Sequence, residues 1–149
     1  MNYYYFKNAT QPKVISTSFS DEFDTIAFDL TSVYLVQSLV SFTRINTYHR
    51  TTGFQSVVIQ DRVKFSSPTS YEFGIPSKNG IWTQISATSN LLIGKVTVGS
   101  TSVFVRIQSS NPFTYNAVTK TNLGISYMRL GVSMVNQIVE DTITITYTN

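Results

Sequence analysis

The strongest constraint on the fold is the share of residues that suit a pleated sheet. Val, Ile, Thr, Tyr, Phe and Trp account for 68 of the 149 residues, whereas Ala occurs four times and Leu seven times. β-branched and aromatic side chains favour strands, and a scarcity of Ala and Leu disfavours helices. With 42% hydrophobic and only 13% charged residues, the chain can also form a packed core. The composition therefore predicts an all-β protein.

Length, charge and cysteine content limit the class further. A chain of 149 residues with a net charge of +3 is most simply one domain, and it has no cysteine for a disulfide or a thiolate metal site. The basic residues are scattered, so a role in packaging nucleic acid is not indicated. No apolar stretch approaches the length of a membrane span, and the first residues lack the pattern of a signal peptide. We therefore expect a soluble chain.

Turn signals divide the sequence into short alternating segments. The clearest are a hairpin of residues 91–98 and 102–108 around Gly99, and a final strand with Ile143, Ile145 and Tyr147 on one face. Eight to ten strands at this spacing predict an antiparallel β-sandwich, most simply an eight-stranded jelly roll. Residues 46–53, 74–80 and 109–121 are expected to be loops, the last with a possible helical turn.

The residues that carry common chemistries are sparse. His49 is the single histidine, and no nucleophile elbow accompanies it, so a Ser-His-Asp triad is not indicated. Zinc sites usually draw on Cys and several His, which are missing here. The one acidic cluster lacks the Asp-x-Asp-x-Asp-Gly loop of a calcium site, and we interpret it as a turn followed by outward-facing acids on a strand; its members are Asp21, Glu22, Asp24 and Asp29. Asp61, Glu72 and the Glu140–Asp141 pair stand beside turn signals and are interpreted as solvated strand ends. We predict no enzyme, no cofactor and no metal, with an enzyme based on an acid pair as the least favoured alternative.

Several aromatic residues in or near loops are candidates for ligand contacts. Trp82 is expected to point away from the apolar face of its strand, and Tyr115 to lie in a loop, where each could stack on a sugar ring. Tyr48, His49 and Arg50 fall in another polar loop. Together with Arg44 they mix basic and aromatic side chains, but too weakly to predict nucleic-acid binding. These residues define the alternative of a carbohydrate- or receptor-binding module.

The first twelve residues form a separate feature. Tyr3, Tyr4, Tyr5 and Phe6 are too apolar to remain in water, and an exposed apolar patch usually marks an interface. We predict an N-terminal aromatic arm at 1–12 that anchors assembly, followed by one β-sandwich domain at 13–149. Alternatively, and with equal weight, these residues form an extra edge strand on a sheet of the same chain.

The strand rhythm and hydroxyl-rich composition of residues 13–147 resemble the small single jelly-roll proteins of virions, including those of bacteriophages. These are penton or vertex proteins, minor capsid proteins and the heads of spikes. The resemblance implies a structural protein of the virion that assembles with itself, as a trimer or pentamer, and with other capsid proteins. Because the arm carries only Lys7 and the domain then starts with Lys13, it implies a vertex or spike subunit rather than a genome-lining shell protein.

Overall fold

The computed structural model describes residues 11–50 and 55–149. Within these ranges the chain forms eleven β-strands and one three-residue helical turn. The predicted interface residues Tyr3, Tyr4, Tyr5 and Phe6 lie outside the described residues, so that prediction stands as made.

The strands follow one another with short connections, and a 3-10 turn, Thr31–Val33, separates the second strand from the third. Their bounds are β1 Lys13–Phe19, β2 Phe23–Asp29, β3 Leu39–His49, β4 Ser56–Thr69, β5 Glu72–Ser77, β6 Ile81–Ala87, β7 Leu91–Val98, β8 Thr101–Ser109, β9 Phe113–Asn122, β10 Ile125–Met134 and β11 Ile138–Thr148.

Two antiparallel sheets make up the fold. The large sheet has eight strands in the order β1-β2-β3-β4-β11-β8-β7-β6, and the small sheet has three in the order β5-β10-β9. The predicted antiparallel β-sandwich is confirmed. The described strands number eleven rather than eight, because segments expected to be loops complete the small sheet.

The core lies between the small sheet and one half of the large sheet. Ile143 and Ile145 of β11 and Val105 and Ile107 of β8 are at most 5% exposed, and they face Leu130 and its neighbours on β10. We call this side of the large sheet the inner face. The threonines that alternate with Ile143 and Ile145 point to the opposite, outer face, as a period of two requires.

The small sheet does not cover the whole inner face. The main buried cluster takes no residue from β1 or β2. A second, smaller cluster of Leu30, Val33 and Phe42 forms where the 3-10 turn folds over the ends of β2 and β3. The inner face is thus closed over β4, β11, β8 and β7 and open toward β1.

Three segments expected to be loops are strands in whole or in part. Residues 74–80 overlap β5, because Phe73 and Ile75 pack into the core, and Pro76 is tolerated on an edge strand. Residues 109–121 overlap β9, which pairs along its length with β10 and buries Phe113. Residues 46–49 continue β3, paired on both sides by β2 and β4.

The predicted hairpin around Gly99 is present. β7 and β8 pair up to Val98 and Thr101, and Gly99 has a φ of 59°, which glycine adopts without strain. Over residues 11–50 and 55–149, no helix is long and apolar enough to cross a membrane.

Candidate functional site

A cleft opens at the boundary between the covered and uncovered parts of the inner face. It has a volume of about 280 Å³. Its floor is formed by β3 and β4, one wall by the edge strand β5, and the other by the segment that follows the 3-10 turn. The lining residues are Tyr34, Val36, Leu39, Phe42, Arg44, Asp61, Val63, Phe65, Tyr71, Glu72, Phe73 and Gly74.

An ion pair crosses the floor of this cleft. Arg44 and Asp61 are direct partners on β3 and β4, so both side chains point to the inner face. Arg44 Nε donates to Asp61 Oδ1 and Arg44 Nη2 donates to Oδ2, each at 2.7 Å. This side-on geometry is the strong, directional form of an arginine–carboxylate contact. Because Nη1 takes no part in this pair, it is left for other contacts.

The two partners differ in their exposure to water. The Asp61 side chain is 3% exposed, whereas the Arg44 side chain is 37% exposed. The guanidinium therefore presents one edge to the cleft while the carboxylate lies behind it. Arg44 also lies over the Phe42 ring, at 5.9 Å from its centroid.

Aromatic rings line both walls. The Tyr34 ring stacks on Phe42 with centroids 5.3 Å apart. On the other side, Tyr71 contacts Phe65 at 6.1 Å and Phe73 at 6.4 Å. These rings give the cleft flat apolar surfaces around the charged floor.

Pairing and burial fix the protonation states of Arg44 and of three tyrosines on the inner side of the sandwich, two of which line the cleft. The hydrogen bond with Asp61 raises the pKa of Arg44, so the guanidinium remains a cation. Burial raises the pKa of Tyr34, Tyr71 and Tyr147 above the ordinary tyrosine value. All three phenols therefore keep their protons at neutral pH and act as uncharged hydrogen-bonding groups.

A second ion pair lies on the outward face of the small sheet, behind the β5 wall of the cleft, because Glu72 alternates with the core-facing Phe73. Arg129 Nη2 donates to Glu72 Oε1 at 2.5 Å, and Ser133 Oγ donates to Glu72 Oε2. The Arg129 side chain reaches Glu72 by crossing Gly74 and Gly131, where a Cβ atom would collide with the guanidinium. Glu72 is thus part of the cleft wall, while its carboxylate is paired with Arg129 on the far side of the small sheet.

Of the residues predicted to contact ligands, Tyr48 lies on the same face as the cleft. On β3, Arg44, Asn46 and Tyr48 share the inner face, and Tyr48 is 37% exposed. Arg50 follows the strand and contacts the carboxylate of Asp24, the partner of Tyr48 on β2.

His49 lies on the other side of the sheet. Adjacent side chains on a strand point to opposite faces, so His49 faces outward. Its ring is tilted against Phe23 at 6.2 Å. The structure therefore separates His49 from Tyr48 and from the cleft.

Trp82 on β6 and Tyr115 on β9 lie at the far end of the sandwich from the cleft. Both are half-buried against the main core, so the prediction that Trp82 points away from the apolar face of its strand is wrong, as is the loop position predicted for Tyr115. The Tyr115 hydroxyl forms a hydrogen bond with Gln84 on β6. The Trp82 ring lies against Gly94 of β7, and its Nε1 is buried without a hydrogen-bond partner in the described part of the chain. It borders a shallower groove of about 490 Å³. Trp82 is on the eighth strand of the sheet and Tyr48 on the third, so the structure does not bring them together.

Two carboxylates expected at solvated strand ends are buried instead. Asp61 is 2% and Asp141 3% exposed. Asp141 accepts hydrogen bonds from Ser109 Oγ at 2.9 Å and from Ser110 Oγ at 2.6 Å, which fixes β8 to β11. The expectation failed because β4 and β11 run on through these positions. No group of three His, Cys, Asp or Glu side chains in residues 11–50 and 55–149 could hold a metal.

The cleft was not predicted from the sequence. The signal lay in the alternation of the strands: Arg44 follows Phe42 by two residues, and Asp61 stands between Ile59 and Val63 on the apolar face of β4. A charge at such a position needs a partner when it is buried. Arg44 meets Asp61 because of the register between β3 and β4, and the sequence alone did not reveal that register.

Comparisons with known proteins report on the fold alone. No protein-family model matches the chain, and no curated protein sequence matches it. Among solved structures, the heparinase III gene product matches with a TM-score of 0.58 at 15% identity, and so does its form with methylated lysines. Each alignment covers 95% of this chain and 22% of the heparinase III chain. At this identity the likeness concerns the fold alone, and the chain spans about a fifth of the length of the structures it matches.

Proposed function

We propose that this chain is a binding module for a neutral carbohydrate, which it holds in the cleft above Arg44 and Asp61. The observation that carries the proposal is the half-exposed Arg44 guanidinium, fixed by a buried carboxylate and set among aromatic rings. Binding sites of this kind combine apolar walls with a few fixed polar groups. Sugar rings offer the matching surface, with apolar faces and hydroxyl edges.

Charge balance favours an uncharged ligand. Arg44 is neutralised by Asp61, Glu72 by Arg129, and Asp24 by Arg50. A strongly anionic or cationic ligand would find no uncompensated partner there and would lose its hydration. Sugar hydroxyl groups can accept from the Arg44 guanidinium and can both donate to and accept from the tyrosine phenols.

The same features favour binding over catalysis. Asp61 is committed to Arg44, and the tyrosines of the cleft hold their protons, so no group there is poised as a general base at neutral pH. His49 lies on the other face. We therefore propose a module without catalytic activity of its own.

The name of the structural neighbour, a heparinase, indicates action on a carbohydrate, and this supports the ligand class. The proposed ligand differs in charge from heparin. An anionic heparin oligosaccharide is thus a useful competitor to neutral sugars in the test.

The test is calorimetric titration with neutral gluco-, manno-, galacto- and xylo-hexasaccharides and a heparin hexasaccharide. The double variant Arg44→Met/Asp61→Leu removes both charges together, which avoids leaving one charge buried alone. Arg62→Ala is the control, because Arg62 lies on the outer face of β4. We expect a neutral sugar to bind wild type and Arg62→Ala but not the double variant. Tightest binding of the heparin probe, or no loss in the double variant, contradicts the proposal.

A second candidate is the virion subunit that assembles with itself and other capsid proteins. It is favoured by the apolar side chains on the open inner face of β1, where Val14 is 53% and Phe19 67% exposed. In this proposal a second copy of the chain covers them, and residues 3–6 add anchors. Absolute mass by light scattering tests it: a trimer or pentamer supports assembly, and a monomer contradicts self-association.

A further inference from the structure

We infer that the carbohydrate is an extended oligosaccharide bound by one chain end, with its terminal unit in the cleft and the following units along β3 and β4 toward Tyr48 and Tyr147. This inference rests on the proposed function, which it deepens by naming the shape of the ligand.

The exposure of the inner face changes along β3 and β4, from one end of the cleft to the other. At one end it is closed by Phe42, Val63 and Phe65, which are each at most 6% exposed. Along the same strands in the other direction exposure increases, and Tyr48 and Val57 are 37% and 38% exposed. We therefore place the continuation of the ligand along these strands toward Tyr48 and Val57.

A surface on β3 and β4 continues the cleft. From Arg44, the inner face of β3 presents Asn46 and then Tyr48, opposite Ile59 and Val57 of β4. Four residues of a strand span about 14 Å, which is longer than one sugar ring. We call this surface, from Asn46 and Ile59 to Tyr48 and Val57, the track.

An aromatic pair lies at the end of the track. Tyr48 and Tyr147 both pair with Val57, from opposite sides, so the three side chains form one row across the sheet. Two strand spacings place the tyrosines about 10 Å apart. Burial raises the pKa of Tyr147, so its hydroxyl stays neutral. Tyr147 is half-buried against the main core, so the exposed part of this row is formed mainly by Tyr48 and Val57, and it can contact a sugar unit beyond the cleft.

The charge next to the track is also balanced. Asp24, the partner of Tyr48 on β2, is neutralised by Arg50. The track is therefore as charge-balanced as the cleft, and the whole surface suits one uncharged chain.

The experiment measures affinity against chain length, with linear oligosaccharides of one to six units from the best-binding neutral series and with the corresponding polymer. The affinity should rise with chain length over the first few sugar units and then level off. Expressed per mole of sugar chain, the polymer should bind no more tightly than the hexasaccharide. Tyr48→Ala should weaken hexasaccharide binding about tenfold, the loss of one aromatic contact, and leave the single sugar unaffected. His49→Ala, on the opposite face of the same strand, is the matched control.

Each outcome is decisive. If Tyr48→Ala lowers the affinity for the single sugar and for the hexasaccharide equally, or lowers neither affinity, the track is not part of the site. If polymer affinity per chain continues to grow with length, internal units bind and recognition of a chain end is wrong. Tyr48→Leu, which keeps an apolar side chain there, guards against a folding defect and should show the same length-dependent loss. If wild type binds no sugar of any length, the proposed function itself fails.

Discussion

Asp61 is almost entirely buried, whereas Arg44, which holds both of its carboxylate oxygens, keeps more than a third of its side chain in contact with water. Arg44→Ala would leave a buried carboxylate without its cation. We expect a loss of about 2–3 kcal/mol in the free energy of unfolding, below the 3–5 kcal/mol of fully buried pairs because water can reach the site. Urea denaturation measures this loss.

The double variant Arg44→Met/Asp61→Leu separates the charge from its packing. Replacing both partners by apolar side chains should cost less than Arg44→Ala alone, because no charge stays buried. A double variant less stable than the single one would show that the pair itself stabilises the fold strongly.

The buried tyrosines predict sensitivity to alkaline pH. In the folded state the pKa values of Tyr34, Tyr71 and Tyr147 lie above the ordinary value of 10.0. Their contribution to stability is full below pH 10 and is lost as the pH rises through the folded values, because the unfolded chain ionises first. Tyr71→Phe should therefore lose less stability than wild type between about pH 9 and about pH 11. Urea denaturation at both pH values measures the two losses in the free energy of unfolding. Equal losses in Tyr71→Phe and wild type would contradict this account.

Gly94 is required by the close approach of Trp82. A Cβ atom at position 94 would overlap the Trp82 ring and the carbonyl oxygen of Thr83. Gly94→Ala should cost about 1–3 kcal/mol, as overpacking does, and shift the Trp82 fluorescence to longer wavelength. In Gly94→Ala/Trp82→Phe the smaller ring should recover part of the loss. Unchanged fluorescence in Gly94→Ala would mean that the indole does not occupy this position.

The apolar inner face of β1 predicts how the chain would associate. If a second copy covers Val14 and Phe19, Val14→Ser/Phe19→Ser should lower the mass measured by light scattering while the far-ultraviolet circular dichroism stays that of a β protein. Deletion of residues 1–12 should act in the same direction if the aromatic segment adds contacts. Ile81→Ser, at the opposite edge of the sheet, is the control. An unchanged mass in both variants removes the assembly account.

The all-β class followed directly from composition, and the hairpin at Gly99 and the alternation of Ile143, Ile145 and Tyr147 followed from period and turn chemistry. The strands β5 and β9 were missed because Pro76, Gly74 and the polar run after Phe113 weaken local strand signals. Their pairing with β10 and the burial of Phe73 and Phe113 outweigh these local preferences.

The cleft was harder to foresee than the fold. Tyr48 was singled out from sequence, yet its relation to Arg44 and Asp61 depends on the register between β3 and β4. A shift of one residue would place these side chains on opposite faces. A sequence reveals which residues are unusual in a strand. The residue that lies opposite each of them on the next strand is set by packing over the whole sheet.

The most direct measurement of the central claim is the NMR signal of the Arg44 side-chain Nε–H during titration with the tightest-binding neutral hexasaccharide. The account predicts that this signal shifts with saturation, together with the backbone amides of Tyr48 and Asp61, while the Nε–H of Arg62 on the outer face stays in place. Saturable shifts confined to the surroundings of Trp82 and Tyr115, with Arg44 unmoved, would contradict it.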